Sequence, residues 1–335
     1  MESSFGQDTN LTLVNYVNKG SKNLKFVTLT MNPSIDLSTS VDRLQPFSKL
    51  RCAVPEREPG GGGINVARVL DRFKCEVVAA YVAGGVEGAL LQQLVERTGL
   101  RDLVIKVEES TREDVTIFER ATNKQFRFVM PGPHLKETIW QEVLQALEGC
   151  DVPHVIVASG SLPGGVPEDF YAMVARHARA MGVRLALDAS GPALKAALDE
   201  KPWLIKPNLK ELRELTGEAL ATTSARANVA RALIAAGKTE IVALTLAEEG
   251  GLLATREGVW VAVPPKIKVV STVGAGDSFL ALLVMELTAG AAPDVALVRA
   301  VAAGSAVLLR PGTDLCWPED VERLSAEVSV RRLLT

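Results

Sequence analysis

From Phe26 to Thr245 the chain repeatedly alternates short apolar, β-branched runs with longer amphipathic stretches. Residues 26–31, 75–82, 154–158, 183–187, 203–205 and 240–245 read as buried strands. Residues 62–73, 86–97, 168–180, a stretch from 209, and 223–236 carry apolar residues at helical spacing. A strand that reaches its neighbour through a helix pairs parallel to it, and a parallel sheet must be covered on both faces. The expected fold is therefore α/β, a mostly parallel sheet between two helix layers, with ligands bound outside the carboxyl ends of the strands. A hairpin is expected over 251–262, with Glu257–Gly258 as its turn.

Two stretches, 34–57 and 108–130, interrupt this rhythm with polar–apolar alternation between turn-forming residues. They predict a small antiparallel sheet inserted twice, serving as a lid, a dimer contact or both. The core is then 26–33, 58–107 and 131–335. Residues 1–25 are polar, rich in Asn, Ser and Lys, and are expected to form a disordered extension.

With 335 residues, 47% of them hydrophobic and 23% charged, the chain can bury one large core and a smaller accessory unit. A net charge of −3 gives no reason to expect a nucleic-acid partner. No apolar run reaches the ~18–20 residues a membrane span needs, and no signal-peptide pattern is present, so a cytoplasmic location is expected. Cys52, Cys75, Cys150 and Cys316 are too scattered for a zinc motif and read as reduced thiols. His134, His154 and His177 show no metal or triad spacing and read as surface or packing residues.

Two glycine clusters carry the chemistry. In 271–278 (STVGAGDS), Gly274 and Gly276 leave room for an anion at the start of an apolar helix, where free N–H groups and the helix dipole favour negative charge. Asp277 beside that hole is placed to take a proton from a hydroxyl attacking phosphorus, although an acidic residue there also stabilises a helix N-terminus. Such a base is expected to stay ionised. Gly60 to Gly63 open a second helix at a backbone cost of about 2–4 kcal/mol relative to alanine, which implies a close approach. A dinucleotide fingerprint fails because its sixth position from Gly60 is Asn65. A P-loop fails because its first glycine would fall at Ala232, and Gly237–Thr239 read as a helix end.

The runs 28–36 (TLTMNPSID), 49–52 (KLRC), 58–68 (EPGGGGINVAR), 127–132 (RFVMPG), 159–165 (SGSLPGG), 206–212 (KPNLKEL), 271–278 and 301–306 (VAAGSA) together resemble the PfkB family of carbohydrate kinases, from Phe26 to the C-terminus. The resemblance implies a ribokinase-like three-layer α/β/α core with a β-sheet lid. It implies an ATP- and Mg2+-dependent kinase acting as a homodimer, with room for K+ near the 270–275 and 304–314 loops. Asp277 would be the base, with Gly274, Ala275 and Gly276 forming the anion hole. Asp36, on a turn after the first strand, would bind sugar hydroxyls with Gly61, Gly62, Gly63 and Asn65. Lys49, Arg51, Arg112 and Ser161 are candidates for the substrate's phosphate. Asn208 and Glu211 match an Asn-x-x-Glu motif associated with magnesium, though the same pair spells a capping box. Lys206, Asn208, Thr245, Ala247, Gly250, Thr272, Gly304 and Ser305 would face the nucleotide, with Ala247 standing where relatives tend to have glycine.

The implied reaction is phosphorylation of fructose 6-phosphate at its 1-hydroxyl, because Gly62 stands where fructose 1-phosphate and tagatose 6-phosphate relatives tend to carry lysine. Those two sugars are the nearest rivals. A catalytically silent sugar-phosphate sensor is the alternative of another class.

Overall fold

The computed structural model describes residues 24–310, 312 and 314–333. Its main sheet has ten strands. Seven run parallel, in the order β5 (Arg101–Val107), β4 (Glu76–Gly84), β1 (Lys25–Thr30), β8 (Val155–Ser159), β9 (Arg184–Asp188), β10 (Leu204–Ile205) and β11 (Ile241–Thr245). Three antiparallel strands, β12 (Gly251–Thr255), β13 (Gly258–Val263) and β14 (Ser329–Leu333), complete the other edge.

Successive strand residues point to opposite faces. In β4, Val77, Ala79 and Tyr81 enter one core and Ala80 and Val82 the other. The first core is closed by α1 (Gly62–Arg72), α2 (Gly85–Glu96), α8 (Ala275–Thr288), α9 (Pro293–Val307) and α10 (Pro318–Ser325). The second is closed by α3 (Glu137–Glu148), α4 (Phe170–Ala180), α5 (Gly191–Ala197), α6 (Leu209–Thr216) and α7 (Thr223–Ala235). This is the expected three-layer α/β/α arrangement. From β1 the chain builds outward to β4 and β5 on one side and, later, to β8 and beyond on the other. The strand order thus reverses between β1 and β8, where a crevice opens at the carboxyl ends.

A second sheet, in the order β3 (Glu56–Gly60), β2 (Ser34–Val41), β6 (Arg112–Glu119) and β7 (Lys124–Phe128), supplies the inserted unit. Its outer pairings are antiparallel as expected, but its central pair β2–β6 is parallel. The reason is topological: β2 and β6 leave the ends of β1 and β5, which point the same way.

Several boundaries move. Most of the expected extension, residues 1–23, lies outside the described residues, whereas Leu24 is buried and Lys25 begins β1. The hairpin turn falls on Arg256–Glu257, with Gly258 already in strand. Gly237 does end a helix, in the left-handed conformation after α7. Strands β5 and β14 and helices α3, α5 and α10 were not anticipated. Both strands lie at sheet edges and mix charged with apolar residues, which blunts the strand signal. All four cysteines are free. No helix among the described residues is long and apolar enough to cross a membrane.

Candidate active site

A cavity of about 260 Å³ lies over the β1–β8 crevice. The loops after β1, β8 and β9, the starts of α1 and α8, and the lid all contribute walls, including Asn32, Asp36, Gly62, Asn65, Arg112, Arg127, Ser159, Ser161, Asp188, Glu211, Gly274 and Asp277.

The glycine run forms one wall. Gly60 ends β3 against Asp36, where an added Cβ would meet Asp36 Oδ1 at 2.2 Å. Gly61 has φ 116° and turns the lid strand into α1. A Cβ on Gly63 would strike the Leu29 carbonyl oxygen at 2.6 Å. Helix α1 can therefore sit directly on β1, and Thr30 Oγ1 accepts from the Ile64 N–H at 3.0 Å. The first turn of α1 then delivers Asn65, whose Nδ2 donates to Asp277 Oδ2 at 2.9 Å.

The facing wall is the start of α8. Gly274 caps it with φ 84°, tightly enough that a Cβ would stand 2.4 Å from Leu315 Cδ2. First-turn amides have no intrahelical carbonyl to bond. Here the Ala275 N–H reaches only Thr272 O, at 3.5 Å. Lys206 Nζ lies over the same turn, 3.5 Å from where a Gly276 Cβ would be, and pairs with Asp188 Oδ1 at 3.1 Å. Burial would depress the Lys206 ammonium, but Asp188, Asp277 and Glu211 together raise it. Ser159 Oγ donates to the other oxygen of Asp188 at 3.3 Å.

Burial and then the neighbouring Asp188 push the Asp277 carboxyl up to about 6, a rise the sequence did not reveal, although the group is still mostly ionised at neutral pH. The Asn65 hydrogen bond and Lys206 oppose the rise.

On the lid side Asp36 lies within strand β2 and not on a turn, level with Asp114 of β6. Its carboxyl is raised by burial, against a hydrogen bond from Ser34 Oγ at 2.7 Å. Arg112 donates to both oxygens of Asp114 at 3.0 Å and to Asn32 O at 3.1 Å, while its buried Nε has no protein partner among the described residues. Arg127, which sequence reasoning missed as a site residue, reaches the same carboxylate at 3.5 Å and lines the cavity. Its position in a period-two strand was the available signal, since every second residue of β7 shares its face. Ser161 lines the cavity and accepts from Asn32 Nδ2 at 3.1 Å. Lys49 and Arg51 do not reach the cavity of their own chain. They are exposed in the loop between β2 and β3, where no strand partner holds them.

On the expected nucleotide side, Asn208 and Glu211 form the complete capping box of α6. It engages one oxygen of each side chain, at 2.8 and 2.9 Å. Glu211 also lines the cavity, its carboxyl raised by burial. Thr245 ends β11 and bridges to Asn208. Ala247 adopts the left-handed region at φ 51°, and Gly250 follows at φ 91°. Thr272 is exposed, two residues before the Gly274 cap of α8. Gly304 and Ser305 have packing partners instead: a Gly304 Cβ would stand 3.2 Å from Ala275 O, and Ser305 Oγ donates to Val301 O at 2.7 Å.

Residues 23–320 match the pfkB family carbohydrate kinase description. The chain is 41% identical to ATP-dependent 6-phosphofructokinase isozyme 2 of Mycobacterium tuberculosis over 89% of its own length and 88% of that protein's. It is 35% identical to the isozyme of that name from Escherichia coli, over 91% and 99%. It is 34% identical to a 1-phosphofructokinase of Xanthomonas campestris, over 92% and 98%. Among solved structures, Escherichia coli phosphofructokinase-2 superposes with a TM-score of 0.87 in complex with potassium and 0.86 in complex with fructose-6-phosphate, at 35% and 34% identity; each covers 91% of this chain and 99% of that one. Arabidopsis thaliana ribokinase, at 19% identity, shares the fold with a TM-score of 0.72, covering 90% and 99%. The chain belongs to the PfkB family of carbohydrate kinases.

Proposed function

We propose that this chain transfers the terminal phosphoryl group of ATP to the 1-hydroxyl of fructose 6-phosphate, giving fructose 1,6-bisphosphate and ADP. The observation that carries the reading is Asp277, held by Asn65 at the first turn of α8 in a cavity whose opposite wall presents Arg112 and Arg127. The two arginines take the substrate's own phosphate, and Asp36 and Asn65 take sugar hydroxyls. Asp277 accepts the proton of the 1-hydroxyl as its oxygen bonds to the phosphorus and the bond to ADP breaks. A carboxyl near 6 is mostly ionised at neutral pH yet holds a proton more readily than an exposed aspartate, which suits a base. The Gly274, Ala275 and Gly276 amides, with Lys206, stabilise charge on the group in transit.

Magnesium prefers oxygen donors and keeps waters and substrate phosphates in its shell. Glu211, in the cavity lining, and Asn208, its capping-box partner, fit that donor set. Among the described residues no cluster of three or more acidic, His or Cys side chains forms a protein cage. When bound, the ion would neutralise phosphate charge. We extend the reading to potassium beside residues 270–275 and 304–314, of which 304–307 end α9 and 311 and 313 lie outside the described residues, supported by the potassium complex of the Escherichia coli relative. Pairing of two copies through the lid is supported by the exposed apolar residues of β7 and the segment after it.

The test is an ADP-release assay with Mg-ATP comparing kcat/KM for fructose 6-phosphate, tagatose 6-phosphate, fructose 1-phosphate, fructose and ribose. Preference for fructose 6-phosphate is expected. Preference for either rival sugar phosphate would overturn the reading of Gly62, and no turnover with any would favour a sensor.

A further inference from the structure

Asn65 holds the base through one end of its side-chain amide, and the other end is also engaged. Arg68, one helical turn further along α1, points Nη1 at Asn65 Oδ1, 3.5 Å away. Its Nη2 pairs with Glu58 Oε1 at 3.1 Å, and Nη1 also reaches Pro59 O at 3.5 Å. Glu58 and Pro59 belong to lid strand β3. Both Arg68 and Asn65 are buried, at 7% and 4% exposure.

An amide has an acceptor end and a donor end. With a carboxylate on one side and a guanidinium on the other, only one orientation is tolerated. Turned by 180°, Asn65 would aim its oxygen at Asp277 and its NH2 at Arg68, and both contacts would repel. We infer that Arg68 is a positioning residue for phosphoryl transfer: it fixes the Asn65 amide so that Nδ2 holds Asp277, and it takes its own anchor from the lid strand. The inference rests on Asp277 being the base.

The competing explanation is that Arg68 merely staples α1 to β3. A double-mutant cycle separates the two, because a residue that acts through Asn65 loses its effect once Asn65 is gone. With Mg-ATP and fructose 6-phosphate, Arg68→Met is expected to lower kcat about tenfold with the KM for ATP unchanged, yet to cost less than about twofold in an Asn65→Ala background. If Arg68→Met fails to fold, Arg68→Lys serves: a single ammonium keeps the Glu58 pair but cannot also span to Asn65, so the kcat loss is still expected. Wild-type kcat in a folded Arg68 variant, or a loss that persists in full without Asn65, would overturn the inference. Asp277→Asn belongs in the same series. If it is inactive while Arg68→Lys is fully active, the inference alone fails. If Asp277→Asn is fully active, the assignment of the base fails with it.

Discussion

Gly62 lies so close beneath Ser159 that a Cβ added to it would stand 2.1 Å from Ser159 Oγ and 3.3 Å from Asp277 Oδ1. Ser159 is not free to swing aside, since its hydroxyl donates to Asp188 and Asp188 holds Lys206. Gly62→Ala is therefore expected to displace the wall that carries Asp188 and Asp277. Because a shift of about 1 Å near the reacting atoms can cost roughly 10²-fold, we expect kcat to fall about 10- to 100-fold with the circular-dichroism spectrum unchanged. Initial-rate kinetics within twofold of wild type would show that the wall yields without consequence.

Asp277→Asn removes the proposed proton acceptor but keeps the shape. Turnover should fall by about 10² to 10⁴-fold with the KM for fructose 6-phosphate changed less than threefold. In the wild type, kcat/KM should fall with acid below a pH near 6, where the carboxyl takes up its proton. Stability carries the opposite sign. A carboxyl raised on folding means that the folded chain binds more protons than the unfolded one, so Asp277 costs stability as the pH rises from about 4 to about 6. Asp277→Asn should consequently melt a few degrees higher than wild type at pH 8, with the difference vanishing near pH 4. A lower melting temperature for the variant at pH 8 would contradict the assigned environment.

Much of this site was legible in the chain because its chemistry is local. Gly60 to Gly63 and Gly274 to Asp277 each put backbone and side chain where a helix starts, and a helix start has a fixed geometry. Asp188 escaped because its role depends on where separate strands end, and Arg127 because only the pairing of β7 with β6 brings its face to the Asp114 carboxylate. Asp188 becomes part of the site only when β9 is placed beside β8 and β10, which no local pattern reveals. Lys49 and Arg51 lie away from the cavity of their own chain for the converse reason: charge in a lid segment says nothing about which way an unpaired loop points. The parallel β2–β6 pair was likewise hidden, since strand direction follows from the core order and not from the alternation within 34–57 or 108–130.

Asp114 holds Arg112 and Arg127 together while remaining buried at 2% exposure. Both guanidiniums share this one carboxylate, both line the cavity, and the buried Nε of Arg112 has no protein partner among the described residues. Losing either arginine should therefore weaken an anionic substrate far more than it slows chemistry. Arg112→Met and Arg127→Met are each expected to raise the KM for fructose 6-phosphate about 10- to 100-fold, the range of one charge-assisted contact, with the KM for ATP nearly constant. Isothermal titration with fructose 6-phosphate checks the binding component directly; unchanged affinity would remove these residues from the phosphate site.

Ala247 holds a left-handed backbone at φ 51°, inside the short turn 247–249 that joins β11 to β12. That conformation costs an alanine about 1–2 kcal/mol, whereas glycine adopts it freely at an entropic cost of roughly 0.5–1 kcal/mol in the unfolded chain. Ala247→Gly should therefore be neutral to stabilising, by up to about 1 kcal/mol, against the usual direction of an alanine-to-glycine change. Urea denaturation decides it, and a loss of more than about 1 kcal/mol would show that the turn relaxes around the methyl group.

Strand β7 is an edge of the lid sheet, and Phe126 and Phe128 on one face of it are 37% and 45% exposed. Val129 and Met130 continue the apolar surface at 61% and 44%. An edge strand with unpaired backbone groups beside a contiguous apolar patch is the surface a second copy would cover. Phe128 is two residues from Met130, whose N–H donates to Asp114 at 3.1 Å, so the outer face of the lid communicates with the arginine pair by a short path. Phe128→Asp is expected to convert a dimer into a monomer in sedimentation velocity and to raise the KM for fructose 6-phosphate in parallel. A variant that stays dimeric would move the contact elsewhere, and a monomer with wild-type KM would break the proposed link between the lid's outer face and the phosphate site.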